Sequence, residues 1–76
     1  MPTKKSRPNQ ALGAAIRSIR REQRLTQEGF ALKAGIDRSY YGAIERGEFN
    51  VTVDTLVKIA RTLDVELSDI LTRAGL

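Results

Sequence analysis

Residues 25–47 read LTQEGFALKAGIDRSYYGAIERG, and the pattern of this stretch changes twice. An apolar helical run reaches Ala34, turn residues follow at Gly35, Ile36 and Asp37, and a second run starts with Arg38, Ser39 and Tyr40. Thr26 suits the N-cap of a helix over residues 27–34, whose inward face is Phe30, Ala31 and Ala34. Gly29 lies inside that helix, where glycine costs about 1 kcal/mol relative to alanine. Gly35 supplies a positive φ at the helix end, Ile36 plugs the turn, and Asp37 caps a helix over residues 38–46 that Gly47 closes. Tyr41 and Ile44, three apart, point inward. Arg38, Ser39, Gly42 and Ala43 point outward, with Tyr40 and Arg46 at the margins. Two helices joined by a tight turn, the second offering a polar face to a partner, make a helix-turn-helix.

The flanks extend this unit without adding a strand. Leu12, Ile16 and Ile19, with Ala15 beside them, give a helix over residues 10–23 one apolar face, with Asn9 as its cap and its arginines facing out. Residues 1–8, MPTKKSRP, lack apolar periodicity, hold both prolines of the chain, and read as a flexible basic arm. After the loop of residues 48–51, Thr52 caps a helix over residues 53–63 that buries Leu56, Ile59, Ala60 and Leu63. Asp64 begins a turn, and Val65 and Leu67 lead into a short helix to residue 73 with Ile70 and Leu71 as its apolar residues. No alternating run of strand type and no internal repeat is visible. The expected architecture is all-α, a compact five-helix domain over residues 9–76.

Composition narrows the function. A chain of 76 residues makes one domain that buries only about 60% of its unfolded surface, too little for a deep substrate cavity. It has no cysteine and no histidine, which removes disulfides, thiol chemistry and the common zinc and imidazole sites, and no cofactor motif is present. Most of the nine carboxylates fall at caps such as Asp37 and Asp64, in surface pairs or at the structural Glu45, and no constellation suggests paired acid-base chemistry, so an enzyme is disfavoured. No run approaches the roughly 20 apolar residues of a membrane span, and residues 1–10 lack the core of a signal peptide, so a cytoplasmic location is expected. Charge is segregated: residues 1–24 carry seven cations against Glu22, whereas residues 25–49 and 50–76 are each −1, within a total of +4. Such a basic end attracts phosphate irrespective of sequence, although it also serves as a solubilising surface.

These residue types fit the reading of double-stranded DNA. Arg38 can donate two hydrogen bonds to a guanine, and Ser39 can meet a base or a phosphate. Gly42 and Ala43 are nearly bare, so the backbone can approach DNA closely or a methyl can meet a thymine methyl. The first amides of the second helix, at Thr26, Gln27 and Glu28, form a potential phosphate site to which Gln27 adds a side-chain donor. Asn50 can donate to the backbone across the groove, or serve only as a turn residue.

The whole of TQEGFALKAGIDRSYYGAIERG, continued by EFNVTVDTLVKIARTLDV, resembles the Cro/C1-type helix-turn-helix family, also called the Xre family, over about residues 10–73. The start Asp37-Arg38-Ser39-Tyr40 looks most like the controller proteins of restriction-modification systems, small dimeric transcriptional regulators. The resemblance implies a phage repressor-like fold and assigns roles by position. Gln27 matches a phosphate-contacting glutamine, Arg38, Ser39 and Tyr40 match base-reading and adjacent backbone-contacting positions, and Asn50 matches a backbone-contacting loop position. Glu45 and Gly47 match structural positions at the end of the third helix. Two positions depart: Gly29 stands where a strong helix former is usual, and Phe49 where a basic residue is common.

One short helix reads few base pairs, so a homodimer on a pseudo-palindromic operator is expected, acting by occlusion or recruitment of RNA polymerase. Leu67, Ile70, Leu71 and Leu76 crowd ten residues and form the candidate interface, unless they only seal the monomer core. The alternative is an antitoxin-like or adaptor module that uses Phe49 and these leucines to bind a protein partner, with DNA affinity secondary.

Overall fold

In the computed structural model, which describes residues 6–76, five helices follow one another: α1 (Arg7–Glu22), α2 (Gln27–Ala34), α3 (Arg38–Glu45), α4 (Val53–Leu63) and α5 (Leu67–Ala74). No strand occurs among the described residues, as expected. Residues 1–5 of the expected arm lie outside them. Helix α1 starts earlier than the sequence suggests. Ser6, not Asn9, is its N-cap, accepting a hydrogen bond from the Asn9 amide at 3.2 Å, and Pro8 fits the first turn because its missing N–H would have no intrahelical partner there. The starts of α2, α3 and α4 fall where expected, since Thr26, Asp37 and Thr52 each cap with a side-chain oxygen, whereas α5 takes Leu67 as its first residue, after Glu66. Gly35 is left-handed at φ 71°, and the Ile36 amide returns to the Ala31 carbonyl at 2.9 Å, which ends α2 and turns the chain into α3.

Apolar residues from all five helices meet in one core. Ile16, Phe30, Tyr41, Ile59, Leu63 and Ile70 are fully buried, and the Phe30 and Tyr41 rings lie 4.9 Å apart between α2 and α3. Helix α1 packs on α3 and α5, α2 on α3 and α4, and α4 on α5. The approach of α1 to α3 requires a glycine that sequence periodicity did not single out. A methyl group at Gly13 would stand 2.5 Å from the Glu45 carbonyl oxygen, so only a residue without Cβ lets the helices touch.

Arg20 does not face solvent with the other arginines of α1; it is 6% exposed and reaches across to Glu45. Its Nε donates to Glu45 Oε2 at 2.6 Å, its Nη2 to Oε1 at 3.1 Å, and its Nη1 to the Leu25 carbonyl at 2.5 Å. The Tyr41 hydroxyl also donates to Oε2, and Gln27 Nε2 donates to Oε1 at 2.9 Å. Among the described residues no buried side-chain nitrogen or oxygen lacks a partner, so this charge cluster is fully satisfied. Burial by itself would push the Glu45 carboxyl up, but the hydrogen bonds from Arg20, Tyr41 and Gln27 together outweigh it and hold the group below the ordinary carboxylate range. Burial, then the Glu45 carboxylate, pushes the Tyr41 phenol up.

A chain of this size has a stability of about 4–11 kcal/mol, and removing one partner of a buried pair costs about 3–5 kcal/mol. Arg20→Ala is therefore expected to lower the urea midpoint severely. Because the folded Glu45 pKa is depressed, its stabilisation is complete above the unfolded value of about 4.3 and is lost as pH falls through the folded value. The raised Tyr41 pKa acts oppositely, its contribution being complete below about pH 10 and lost above it. Urea midpoints measured across pH should fall at both ends, and Tyr41→Phe should shrink the alkaline fall; an unchanged alkaline limb in that variant would refute the Tyr41 contribution.

Candidate nucleic-acid interface

The starts of α2 and α3 open on one face of the molecule. Thr26 turns its hydroxyl back to accept from the Gly29 amide at 2.9 Å, leaving the Gln27 and Glu28 amides at the open end of α2 without intrahelical partners. A methyl group at Gly29 would approach only the Thr26 hydroxyl, at 3.0 Å, so this exposed glycine accommodates no close neighbour on another helix. Gln27 is half-buried, its amide nitrogen on Glu45 and its oxygen leaning over Gly42. Sequence reasoning gave Gln27 an outward role alone. The structure adds an inward one, and the hydrogen bond to Glu45 fixes which way the amide faces.

Helix α3 leaves Arg38 and Ser39 exposed to solvent. Arg38 forms no ion pair among the described residues, so its guanidinium has its donors available for a ligand. Gln27, Arg38, Ser39 and Arg46 line a cleft of about 200 Å³ with Gly42 at its floor. Gly42 departs from the expected outward face: it is buried because neighbours cover it, and a Cβ there would lie 3.1 Å from Arg46 Nη1 and 3.6 Å from Gln27 Oε1. Ala43 corrects the expected outward face. It is 3% exposed, because it sits one residue beyond Gly42 on the side turned into the domain, and its carbonyl accepts from the Glu48 amide at 3.0 Å. Its methyl is not available to DNA.

At the far end of the face, Arg46 pairs with Glu48 through Nε at 2.9 Å and Nη2 at 3.2 Å, which leaves Nη1 over the cleft. Tyr40 is half-buried and meets the exposed Phe49. Asn50 is exposed and accepts from Asn9 Nδ2 at 2.8 Å, which ties the loop after α3 to the first turn of α1. The structure thus brings Gln27, Arg38, Ser39, Gly42 and Arg46 together, sets Thr26, Tyr40 and Asn50 around them, and withdraws Ala43. Arg20 and Gly13 were missed. Arg20 was detectable, since it lies four residues after Ile16 and eight after Leu12, on the inward stripe of α1. Gly13 gave no signal, because sequence does not reveal which backbone will cross it.

The candidate dimer residues divide as well. Ile70 is completely buried in the monomer core and cannot meet a partner. Leu67 and Leu71 are half-buried against that core, and Leu76 is 60% exposed. No helix among the described residues is long and apolar enough to cross a membrane, and no group of three metal-ligating side chains occurs among them.

Filling the floor of the cleft separates its folding role from its binding role. Arg46 Nη1 is the end of a flexible side chain and can move aside, and alanine is favoured over glycine inside a helix by about 1 kcal/mol. Gly42→Ala is expected to keep or raise the thermal midpoint while weakening binding to a duplex ligand in a fluorescence anisotropy titration; unaltered affinity would remove Gly42 from the interface.

The family model described as HTH_3, helix-turn-helix, matches residues 16–70. Control protein C.SmaI of Serratia marcescens is 42% identical over 65 residues, which are 86% of this chain and 77% of that protein. The restriction-modification controller protein C.AhdI from Aeromonas hydrophila has a similar solved structure, with TM-score 0.78 and 38% identity over 80% of this chain and 92% of that one. The biofilm regulator SinR, solved in complex with DNA, is similar at TM-score 0.74 and 33% identity, over 79% and 97% of the two chains.

Proposed function

The chain belongs to the HTH_3 helix-turn-helix family of DNA-binding transcription regulators, of the Cro/C1 type, and on that premise we propose that it acts as a homodimer on a pseudo-palindromic operator. The observation that carries this reading is the convergence of the α2 and α3 starts on the cleft lined by Gln27, Arg38, Ser39 and Arg46 over Gly42. A major groove about 12 Å wide admits one helix, and α3 is the helix whose polar start is exposed. In this reading Arg38 donates to a guanine and Ser39 to a neighbouring base or phosphate. The open amides of Gln27 and Glu28 take a phosphate, with Thr26 and the Gln27 side chain beside them, and Asn50 meets the backbone across the groove.

Two-fold symmetry follows from the few base pairs a single α3 can read, with half-sites about 34 Å apart. Leu76, Leu67 and Leu71 remain as apolar contacts for the second copy, whereas Ile70→Ala would open the core rather than the dimer. The similarity to controller proteins supports a regulator that occludes or recruits polymerase at its own target. Sedimentation of the isolated chain should give a concentration-dependent dimer that Leu76→Asp together with Leu71→Asp weakens. A monomer that associates only with a different protein would favour the antitoxin-like or adaptor reading instead.

Selection from a random duplex pool is expected to enrich a site with two symmetric halves. Against that site Arg38→Ala should cost about 1–3 kcal/mol and relax preference at one position per half-site. A footprint and preference identical to those of the unaltered chain would remove Arg38 from base reading.

A further inference from the structure

The helix-turn-helix face ends in an aromatic pair, of which Phe49 has no part in the DNA-binding roles above. Tyr40, in the first turn of α3, and Phe49, in the loop after that helix, have ring centroids 5.7 Å apart and planes inclined by 63°, an edge-to-face contact. Phe49 is 36% exposed, a large apolar side chain left partly in water beside a polar surface. Tyr40 also packs against the core. Its ring is therefore in contact with both the core and Phe49, while its hydroxyl forms no hydrogen bond to a described residue. On the loop side of the pair free positive charge is scarce, the exposed Arg38 lying two residues back on α3. Arg46 is bound to Glu48, and the loop sequence Glu48-Phe49-Asn50-Val51 contains no cation. A neutral donor on a fixed ring is what this edge has to offer to a phosphate.

We infer that Phe49 is a positioning residue for DNA binding: its ring fixes Tyr40 so that the Tyr40 hydroxyl is presented to a backbone phosphate at the margin of the groove. The inference rests on the DNA-binding reading of the same face. Its physical basis is preorganisation, since a tyrosine already in contact with core and Phe49 loses little side-chain freedom when DNA arrives. The aromatic contact also replaces electrostatic attraction at this edge. A hydroxyl donates to phosphate without displacing counterions as a lysine or arginine would, so the contact should leave the salt dependence of binding unaltered.

Affinities for the selected duplex would be measured for the unaltered chain, Phe49→Ala, Phe49→Trp, Tyr40→Phe and the double variant Phe49→Ala with Tyr40→Phe, at a temperature where thermal melts show all of them folded. Phe49→Ala is expected to weaken binding about three- to tenfold, the scale of one aromatic pair, with an unaltered slope of log Kd on log salt. Phe49→Trp restores an aromatic neighbour and should stay within about twofold of the unaltered chain. On the Tyr40→Phe background, where no hydroxyl remains to be placed, Phe49→Ala should cost less than about twofold. Equal affinities for Phe49→Ala and the unaltered chain, or the same loss with and without the Tyr40 hydroxyl, would overturn the positioning role and leave the DNA-binding reading standing. If the unaltered chain enriches no duplex, both fall together.

Discussion

The Glu45 carboxylate is the point on which this small domain depends. It sits at the end of α3 and receives Arg20 from α1, Tyr41 from its own helix and Gln27 from the start of α2. Three helices are thereby fixed around one buried charge. An ion pair of this kind is weak evidence of net stabilisation, because removing two charges from water costs as much as their attraction returns. Its effect is geometric: the donors fit in one arrangement, and a slip of any helix would leave a buried charge unpartnered. A core of buried apolar side chains could pack in several related ways, whereas the carboxylate accepts one.

The same carboxylate links the fold to the site. Gln27 stands between Glu45 and the cleft, so the orientation of its amide is set from inside the protein, and its oxygen leans over Gly42. On the opposite flank, Asn9 ties the loop after α3 to α1, and Phe49 lies against Tyr40. The exposed residues between these supports, Arg38 and Ser39, project from a helix held at both ends. Rigid support of a short helix limits how it can enter a groove, and base reading needs that restriction because hydrogen bonds to base edges tolerate little misplacement.

Much of the fold was legible because its signals are local. Thr26, Asp37 and Thr52 cap where short polar side chains precede apolar periodicity, and Gly35 turns the chain where a positive φ is needed. Helix α1 began three residues early because Ser6 outcompeted Asn9 as a cap and Pro8 suits a first turn. Within the site, Arg38 and Ser39 were correctly exposed, since the first turn of a capped helix points away from the preceding turn. Ala43 was misplaced because three-residue and four-residue spacings on an eight-residue helix leave its flanks undetermined, and the neighbouring chain decides which flank is covered.

The sequence alone determined an all-α chain, the order of its helices, the turn between α2 and α3, and the polar start of α3, all set by interactions within a few residues. Only the tertiary structure decided that Arg20 meets Glu45, that Gly13 lets α1 touch the end of α3, that Gly42 and Ala43 are both covered, and that Ile70 is spent in the core. Each of these depends on residues brought together from distant parts of the chain. Local periodicity states which face of a helix is apolar, but the partner that reaches that face is chosen by the packing of the whole domain.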